Sequence, residues 1–286
     1  MGITIEEVRT PAFSMKYFRF GTGDKTFVML PGLSVQSVMN LADAVAAQYK
    51  EITDAFTVYV FDRREEIPEV YTVRDMARDT AEAIGALGLT DIYLFGASQG
   101  GMMGMVIAAE HPELVRGLVL GSTSACVREE QYAALQKWIR FAKEKDGEDL
   151  YLAFGEAIYP PNVFGMYKEI LKTAGRTITE EEFARFVIMA EGTKDFNVLD
   201  DLPRISCPVL VLGDSTDAVL GPEASYEICE KLKERQAGKD RKGDGSAEVP
   251  VCECYMYDGF GHAAFDTAPD YRKRILGFFL GPHFQE

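Results

Sequence analysis

The sequence predicts an α/β protein in which a mostly parallel central sheet is flanked by helices and covered by a helical insertion. Between residues 25 and 121, short apolar strands alternate with helices, which is typical of right-handed βαβ units. Residues 126–200 then show helical patterns without a convincing strand, and the alternation returns after them. We therefore expect a core formed by residues 1–125 and 201–286, with residues 126–200 as a lid.

The first strands are indicated by short apolar and alternating segments. Phe13–Phe20 alternates, and Lys25–Leu30 is short and apolar. Because the turn-forming residues 21–24 lie between them, the two strands are expected to form a hairpin. Pro31–Ser34 then ends the second strand.

The next elements again alternate in type. Ser37–Tyr49 has a helical pattern, and Phe56–Phe61 is a strand rich in β-branched and aromatic residues. Thr72-x-x-Asp75 is a capping signature for a helix that is expected to end at Leu87.

A serine flanked by glycines lies where a predicted strand runs into a predicted helix. The motif is Gly96-x-Ser98-x-Gly100, after the strand Ile92–Phe95 and before a helix that continues to Glu110. It is typical of a nucleophile elbow, a turn so tight that only glycine fits on either side of the serine. The N–H groups that begin the helix would lie beside a developing oxyanion. Ser98 is therefore the candidate nucleophile.

The insertion follows a strand at Leu114–Leu120 and is rich in aromatic residues. Its expected helices are Gln131–Lys145, Asp149–Ile158, Val163–Thr173 and Glu180–Glu191. Most of its aromatic side chains are expected to form the core of the lid, and a few to face the substrate. The core then resumes with a strand at Pro208–Leu212, a helix at Pro222–Lys233, a surface loop at Glu234–Glu248, a strand at Val251–Tyr257 and a helix at Pro269–Leu280.

A serine nucleophile needs a base to remove its proton and a carboxylate to orient that base. Of the three histidines, His111 ends a helix and His283 lies near the C-terminus. His262 follows the last strand at the sheet edge that carries Ser98, so His262 is the expected base.

Two aspartates follow the strand that ends at Leu212. Asp217 is the preferred acid, because three more residues of loop let it approach His262, and Asp214 is the alternative. Asp214 comes directly off the strand and is expected to bind nearby backbone amides. The candidate catalytic residues then occur in the order Ser98, Asp217, His262.

Composition disfavours several other classes of function. The net charge of −15, from 45 acidic and 30 basic residues, argues against nucleic acid or anionic membrane as a partner. No apolar run reaches the roughly 20 residues that span a bilayer, and Met1–Glu7 lacks a signal core, so we expect a cytoplasmic protein. The five cysteines contain no C-x-x-C pair, which indicates free thiols. We expect neither a metal ion nor a cofactor.

Along nearly its whole length the chain resembles proteins of the α/β-hydrolase fold. The resemblance is carried by Leu30-Pro31-Gly32-Leu33, by residues 96–101, by Glu110–Val115 with Leu118–Leu120, by Gly213–Asp217 and by Gly261-His262. It implies a lid after the sixth strand and an oxyanion hole made by the backbone N–H groups of Leu33 and Gln99. Two departures are that Pro31-Gly32 replaces a His-Gly pair, and that Asp62-Arg63-Arg64-Glu65 replaces an Arg-Gly-His-Gly sequence.

The expected function is a serine hydrolase that cleaves a small carboxylic ester, thioester or amide through an acyl-enzyme. The expected partner is a small molecule with an uncharged or apolar acyl group. Two alternatives are an acyltransferase or carbon–carbon bond hydrolase of the same fold, and a binding protein that uses the pocket without catalysis.

Overall fold

The computed structural model describes residues 2–240 and 251–284. Within these residues, eight strands form one sheet in the spatial order β1-β2-β4-β3-β5-β6-β7-β8. Only the β1–β2 and β2–β4 pairs are antiparallel, so the predicted mostly parallel sheet is confirmed. The strands are β1 (Ile5–Arg9), β2 (Ser14–Phe20), β3 (Lys25–Leu30), β4 (Phe56–Arg64), β5 (Ile92–Ala97), β6 (Val115–Gly121), β7 (Val209–Asp214) and β8 (Cys252–Tyr257).

Helices cover both faces of this sheet. The described α-helices are α1 (Ala42–Gln48), α2 (Val73–Ala86), α3 (Gln99–Glu110), α4 (Glu129–Lys143), α5 (Gly147–Ile158), α6 (Pro161–Gly175), α7 (Glu180–Glu191), α8 (Pro222–Asp240), α9 (Ala264–Thr267) and α10 (Tyr271–Phe279). One apolar layer joins the sheet to α2, α3, α8 and the helices of the insertion. A second layer joins the other face to α1 and α10.

The predicted hairpin between the second and third strands is wrong. Strand β4 inserts between them, pairing antiparallel with β2 and parallel with β3. The connecting glycines show why: a Cβ on Gly21 would lie 2.3 Å from Phe56 O, and one on Gly23 would lie 2.0 Å from Ala55 C. These glycines allow the chain to pass close to the start of β4, so they mark a close backbone approach and not a hairpin turn.

Two other parts of the sequence prediction need correction, a missing strand and the end of a helix. Strand β1 was not predicted, because it is an edge strand in which Val8 is the one buried residue and its apolar pattern is weak. Helix α8 continues to Asp240, whereas the sequence suggested a loop from Glu234. Charged residues favour solvent exposure but do not by themselves end a helix. The rest of that predicted loop, residues 241–248, lies outside the described residues.

The insertion between β6 and β7 contains the four predicted helices, α4–α7, with bounds shifted by at most two residues. Helix α5 packs against α4 and α6, and α4 also packs against α7. The capping signature before α2 is present as well, since the Asp75 amide donates to Thr72 Oγ1 and the Thr72 amide donates to Asp75 Oδ2. These helices have strong local signals, which explains why sequence patterns locate them.

Candidate active site

Ser98 lies at the sharp junction between β5 and α3. Its φ of 52° and ψ of −122° are rare for a residue with a side chain, and they store strain at the site. Strand β6 and the segment after it support this conformation, since the Ser98 amide donates to Gly121 O at 2.8 Å and Ser98 O accepts from Thr123 Oγ1 at 2.7 Å. One backbone and one side-chain contact therefore hold the serine at the carboxyl edge of the sheet.

The two motif glycines lie where the backbone approaches itself too closely for any side chain. A Cβ on Gly96 would lie 2.2 Å from Gly100 O, and one on Gly100 would lie 2.0 Å from Leu30 O. Both distances are far below van der Waals contact. The tight crossing of β3, β5 and α3 therefore requires glycine at both positions.

The structure brings Ser98, His262 and Asp217 into one hydrogen-bonded chain. His262 Nε2 lies 3.0 Å from Ser98 Oγ, and His262 Nδ1 lies 2.9 Å from Asp217 Oδ2 and 3.0 Å from Oδ1. Both side chains are buried, with 4% of His262 and 7% of Asp217 exposed. Since a carboxylate only accepts hydrogen bonds, the ring hydrogen lies on Nδ1, which leaves Nε2 able to accept from the Ser98 hydroxyl.

The Asp217 carboxylate is fixed by backbone as well as by the imidazole. Asp217 Oδ1 accepts from the amides of Val219 (2.9 Å) and Leu220 (3.1 Å). Burial alone would raise the pKa of this carboxyl, but the neighbouring His262 and the two amides outweigh burial and hold the pKa below its usual value. Asp217 is therefore ionised at neutral pH and suited to orient the imidazole.

Asp214 occupies a different position from Asp217. Its Oδ1 accepts from the Thr216 amide at 2.8 Å, and its Oδ2 accepts from the Phe260 amide at 2.9 Å. These bonds connect the end of β7 to the loop that carries His262. Asp214 thus binds two backbone amides, one local and one across the sheet edge.

The other two histidines lie elsewhere. His111 Nδ1 is 3.5 Å from Glu113, after α3, and His283 Nε2 is 3.1 Å from Glu253 on β8. Neither lines the cavity that contains Ser98.

The two residues whose amides are predicted to form an oxyanion hole, Gln99 and Leu33, lie in segments that approach Ser98. Gln99 is the first residue of α3, so its N–H has no partner within the helix. Leu33 lies in the loop after β3, whose close approach is shown by the 3.2 Å between a Cβ built on Gly32 and Ser98 Cβ. Leu33 and Gln99 line the same cavity as Ser98 and His262.

A mostly apolar cavity of about 210 Å³ opens above Ser98. The insertion supplies part of its wall, including Trp138 and Phe154, whose ring centroids are 4.6 Å apart. The other apolar side chains of the wall are Pro31, Leu33, Val38, Leu41, Met102, Val127, Leu135, Ile158, Val219, Leu220 and Phe265. A larger groove of about 650 Å³ lies on the surface behind Asp217, but it includes neither Ser98 nor His262.

Some polar residues at this site were not predicted. Gln36 lines the cavity and is held by the insertion, because its Oε1 accepts from Tyr151 Oη at 3.1 Å and its Nε2 donates to Glu182 Oε1 at 3.3 Å. Thr193 also lines the cavity and accepts from the Gln99 side chain at 2.8 Å. No sequence motif marks either residue, since both gain their positions through contacts between distant segments.

Neither a metal-binding cluster nor a membrane-spanning helix occurs among the residues that the structure describes. Within residues 2–240 and 251–284, no group of three or more His, Cys, Asp and Glu side chains is arranged to hold a metal ion. In that same part of the chain, every helix is too short or too polar to cross a membrane.

Comparison with known proteins places this site in context. Serine hydrolase BPHL of Mus musculus is 24% identical over 233 residues, which cover 76% of this chain and 72% of that protein. The crystal structure of MGS-M2, an alpha/beta hydrolase enzyme from a Medee basin deep-sea metagenome library, has a TM-score of 0.82 at 19% identity and covers 98% of this chain and 99% of that one. A thermophilic esterase from Thermogutta terrifontis has a TM-score of 0.73 at 22% identity, covering 96% and 98%.

A family model described as the alpha/beta hydrolase family matches residues 27–270, which include every strand from β4 to β8, the insertion and the residues around Ser98. The solved structures share the fold over nearly the whole chain. The protein is a member of the alpha/beta hydrolase family.

Proposed function

We propose that the protein is a serine hydrolase that cleaves a small, uncharged carboxylic ester, thioester or amide through an acyl-enzyme at Ser98. The observation that carries the proposal is the pair of distances at His262, 3.0 Å from Nε2 to Ser98 Oγ and 2.9 Å from Nδ1 to Asp217 Oδ2. The relative from Mus musculus that is named a serine hydrolase supports the same reaction class.

The proposed reaction has two halves, the acylation of Ser98 and the hydrolysis of the acyl-enzyme. Ser98 Oγ attacks the substrate carbonyl carbon while its proton passes to His262 Nε2, and Asp217 stabilises the imidazolium that forms. The carbonyl oxygen becomes an oxyanion and accepts hydrogen bonds from the amides of Leu33 and Gln99. His262 then donates the proton to the leaving group. In the second half, His262 removes a proton from water, whose oxygen attacks the acyl carbon. The bond from that carbon to Ser98 Oγ then breaks, and His262 returns the proton to Ser98 Oγ as the acid is released.

The cavity supports an uncharged acyl group of modest size. Apart from the catalytic histidine, its wall contains no ionisable side chain, so a carboxylate or ammonium inside it would be desolvated without an ion partner. If each non-hydrogen atom takes the roughly 30 Å³ that a water occupies in the liquid, about seven such atoms fill 210 Å³. Acyl groups of about four to six carbons, with the carbonyl carbon counted, therefore fit the cavity.

We also propose that residues 126–200 act as the lid that sets this preference. Trp138 and Phe154 face the cavity, whereas Phe183 and Phe186 are buried among the helices of the insertion. The first two side chains would contact the acyl group, and the last two would stabilise the lid.

The experiment that tests the proposal combines covalent labelling with a substrate series. A fluorophosphonate probe should label the wild-type protein and should fail to label Ser98→Ala. p-Nitrophenyl esters from acetate to decanoate should be hydrolysed, with the highest kcat/KM near butanoate to hexanoate. Labelling at another residue, or the same ester turnover by Ser98→Ala, would refute the serine mechanism. Labelling of Ser98 without turnover of any ester would favour the acyltransferase, carbon–carbon hydrolase or ligand-binding alternatives.

A further inference from the structure

A buried arginine bridges the two segments that carry the proposed oxyanion amides. Arg63 lies near the end of β4, and only 2% of it is exposed. A single nitrogen, Arg63 Nη2, donates to Pro31 O at 3.0 Å and to Gln99 Oε1 at 3.2 Å. Pro31 begins the loop that contains Leu33, and Gln99 supplies the second amide. One guanidinium therefore connects both sides of the oxyanion hole.

The residue before this arginine holds the other end of the same loop. The Ser37 hydroxyl donates to Asp62 Oδ2, and Asp62 Oδ1 accepts from the Arg63 amide at 2.7 Å. The loop from Pro31 to Ser37 is thus attached to the end of β4 at both of its ends. Leu33 lies between the two attachments, so its position depends on them.

The side-chain amide nitrogen of Gln99 is also held, by residues of the insertion. Its Nε2 donates to Met189 O at 2.9 Å and to Thr193 Oγ1 at 2.8 Å, while its Oε1 accepts from Arg63. Only 2% of Gln99 is exposed, and both amide hydrogens and the oxygen of its side chain have partners. The residue that supplies the amide is therefore fixed by Arg63 and by the insertion together.

Burying the Arg63 guanidinium costs desolvation free energy, and a role in packing alone would not require that cost. Burial lowers the pKa of Arg63, while the adjacent Asp62 carboxylate opposes this effect. Arg185 also approaches Asp62 Oδ1, at 3.7 Å, so the carboxylate is shared between two cations. An apolar side chain of similar size would avoid the desolvation cost, which indicates that the hydrogen bonds of Arg63 have a role beyond filling space.

We infer that Arg63 is a positioning residue for the oxyanion hole, which holds the Leu33 loop and Gln99 at the separation that lets both amides bind one oxygen. This inference rests on the proposed serine hydrolase function. Misplacing a reacting group by about 1 Å can reduce the rate about 100-fold, so a residue that sets this separation has a large effect without touching the substrate.

The test compares Arg63→Met, Arg63→Lys and the matched control Arg64→Met. Methionine has similar length without a donor, and lysine keeps the charge on a shorter stem that does not reach both acceptors. Arg64 is the next residue and is bound to Asp79 and to Ala12 O, away from the cavity. The readouts are kcat and KM for p-nitrophenyl butanoate, the Ki of phenylboronic acid and the Tm by calorimetry. Phenylboronic acid forms a tetrahedral adduct with a serine, so its affinity reports the oxyanion hole.

For Arg63→Met, kcat should fall by about 10-fold to 100-fold and the Ki of phenylboronic acid should rise by a similar factor, with KM within about threefold of wild type. Arg63→Lys should show the same pair of changes at smaller size. Arg64→Met should leave kcat and Ki unchanged within about twofold.

Any folded Arg63 variant that keeps the wild-type kcat and Ki would overturn the inference. So would a lower Tm with an unchanged Ki, because that result describes a purely structural role. If Arg63→Met does not fold, Arg63→Lys decides between these outcomes by itself. Ser98→Ala separates the two proposals: activity in that variant refutes the serine mechanism, whereas an inactive Ser98→Ala beside a fully active Arg63 variant refutes only the inference about Arg63.

Discussion

Replacing Asp217 by asparagine tests the proposed base more sharply than removing the side chain would. The substitution keeps the shape of the side chain and changes the position of the ring hydrogen on His262. Asp217 Oδ1 accepts from the amides of Val219 and Leu220. An asparagine oxygen must occupy this place, since its NH₂ group cannot accept. The NH₂ group then takes the place of Oδ2, 2.9 Å from His262 Nδ1, while the oxygen remains 3.0 Å from the same nitrogen.

The consequence reaches Ser98 through the imidazole. The asparagine oxygen already accepts from two amides, so we expect Nδ1 to accept from the NH₂ group instead, and the ring hydrogen then moves to Nε2. Nε2 is the atom 3.0 Å from Ser98 Oγ, and with a hydrogen attached it is unable to remove the serine proton. We expect kcat to fall by about 10⁴-fold, as for a triad base held in the wrong tautomer. That corresponds to about 5 kcal/mol of lost transition-state stabilisation.

The assay is single-turnover acylation with p-nitrophenyl butanoate, followed by stopped flow, with Asp214→Asn as the matched control. Asp214 accepts from the Thr216 and Phe260 amides and has no contact with the imidazole. Asp214→Asn should lower the Tm while the acylation rate stays within about tenfold of wild type. The reasoning is refuted if Asp217→Asn acylates within about tenfold of wild type, or if Asp214→Asn causes the larger loss.

Wild type and Asp217→Asn should also differ in the pH dependence of their stability. The pKa of Asp217 is lowered in the folded state, so its interactions stabilise the protein above the unfolded value of about 3.9 and are lost as the pH falls through the folded value. The difference in Tm between wild type and Asp217→Asn should therefore be constant from about pH 5 to 7 and narrow below about pH 4. A difference in Tm that widens below about pH 4 would contradict the lowered pKa of Asp217.

Three further predictions concern the elbow, the base and the cavity. Ser98→Ala and His262→Ala should each remove most of kcat, and the double variant should lose little more, since the two groups share one proton transfer; additive losses would argue against this. Gly100→Ala places a Cβ 2.0 Å from a backbone oxygen of β3, so it should lower the free energy of unfolding by more than about 4 kcal/mol in thermal melts. The control Gly85→Ala, whose Cβ would have no atom within 4 Å, should be neutral or stabilising. Trp138→Ala should shift the ester with the highest kcat/KM to a longer acyl chain, with kcat/KM rising about fourfold for each additional buried methylene. An unchanged optimum in the ester series would mean that Trp138 does not limit the length of the acyl site.

Much of the architecture is determined by short sequence patterns. The capping residues Thr72 and Asp75, the glycines around Ser98 and the apolar repeats of the insertion act through contacts within a few residues, so their effects can be predicted without tertiary structure. The alternation of strands and helices, and with it the family, follows from the same local signals.

The contacts between distant segments were decided only by the tertiary structure. The sequence left Asp214 and Asp217 as alternatives, because loop length bounds the reach of a side chain but does not choose its partner. The place of β4 between β2 and β3 depends on how residues 21–23 pack against residues 53–56, which turn propensity does not record. The position of Arg63 is of the same kind: whether an arginine near the end of a strand faces solvent or links Pro31 to Gln99 depends on three strands meeting at one sheet edge. Local conformational preferences are encoded within a few neighbouring residues, whereas such pairings arise from the packing of the whole chain.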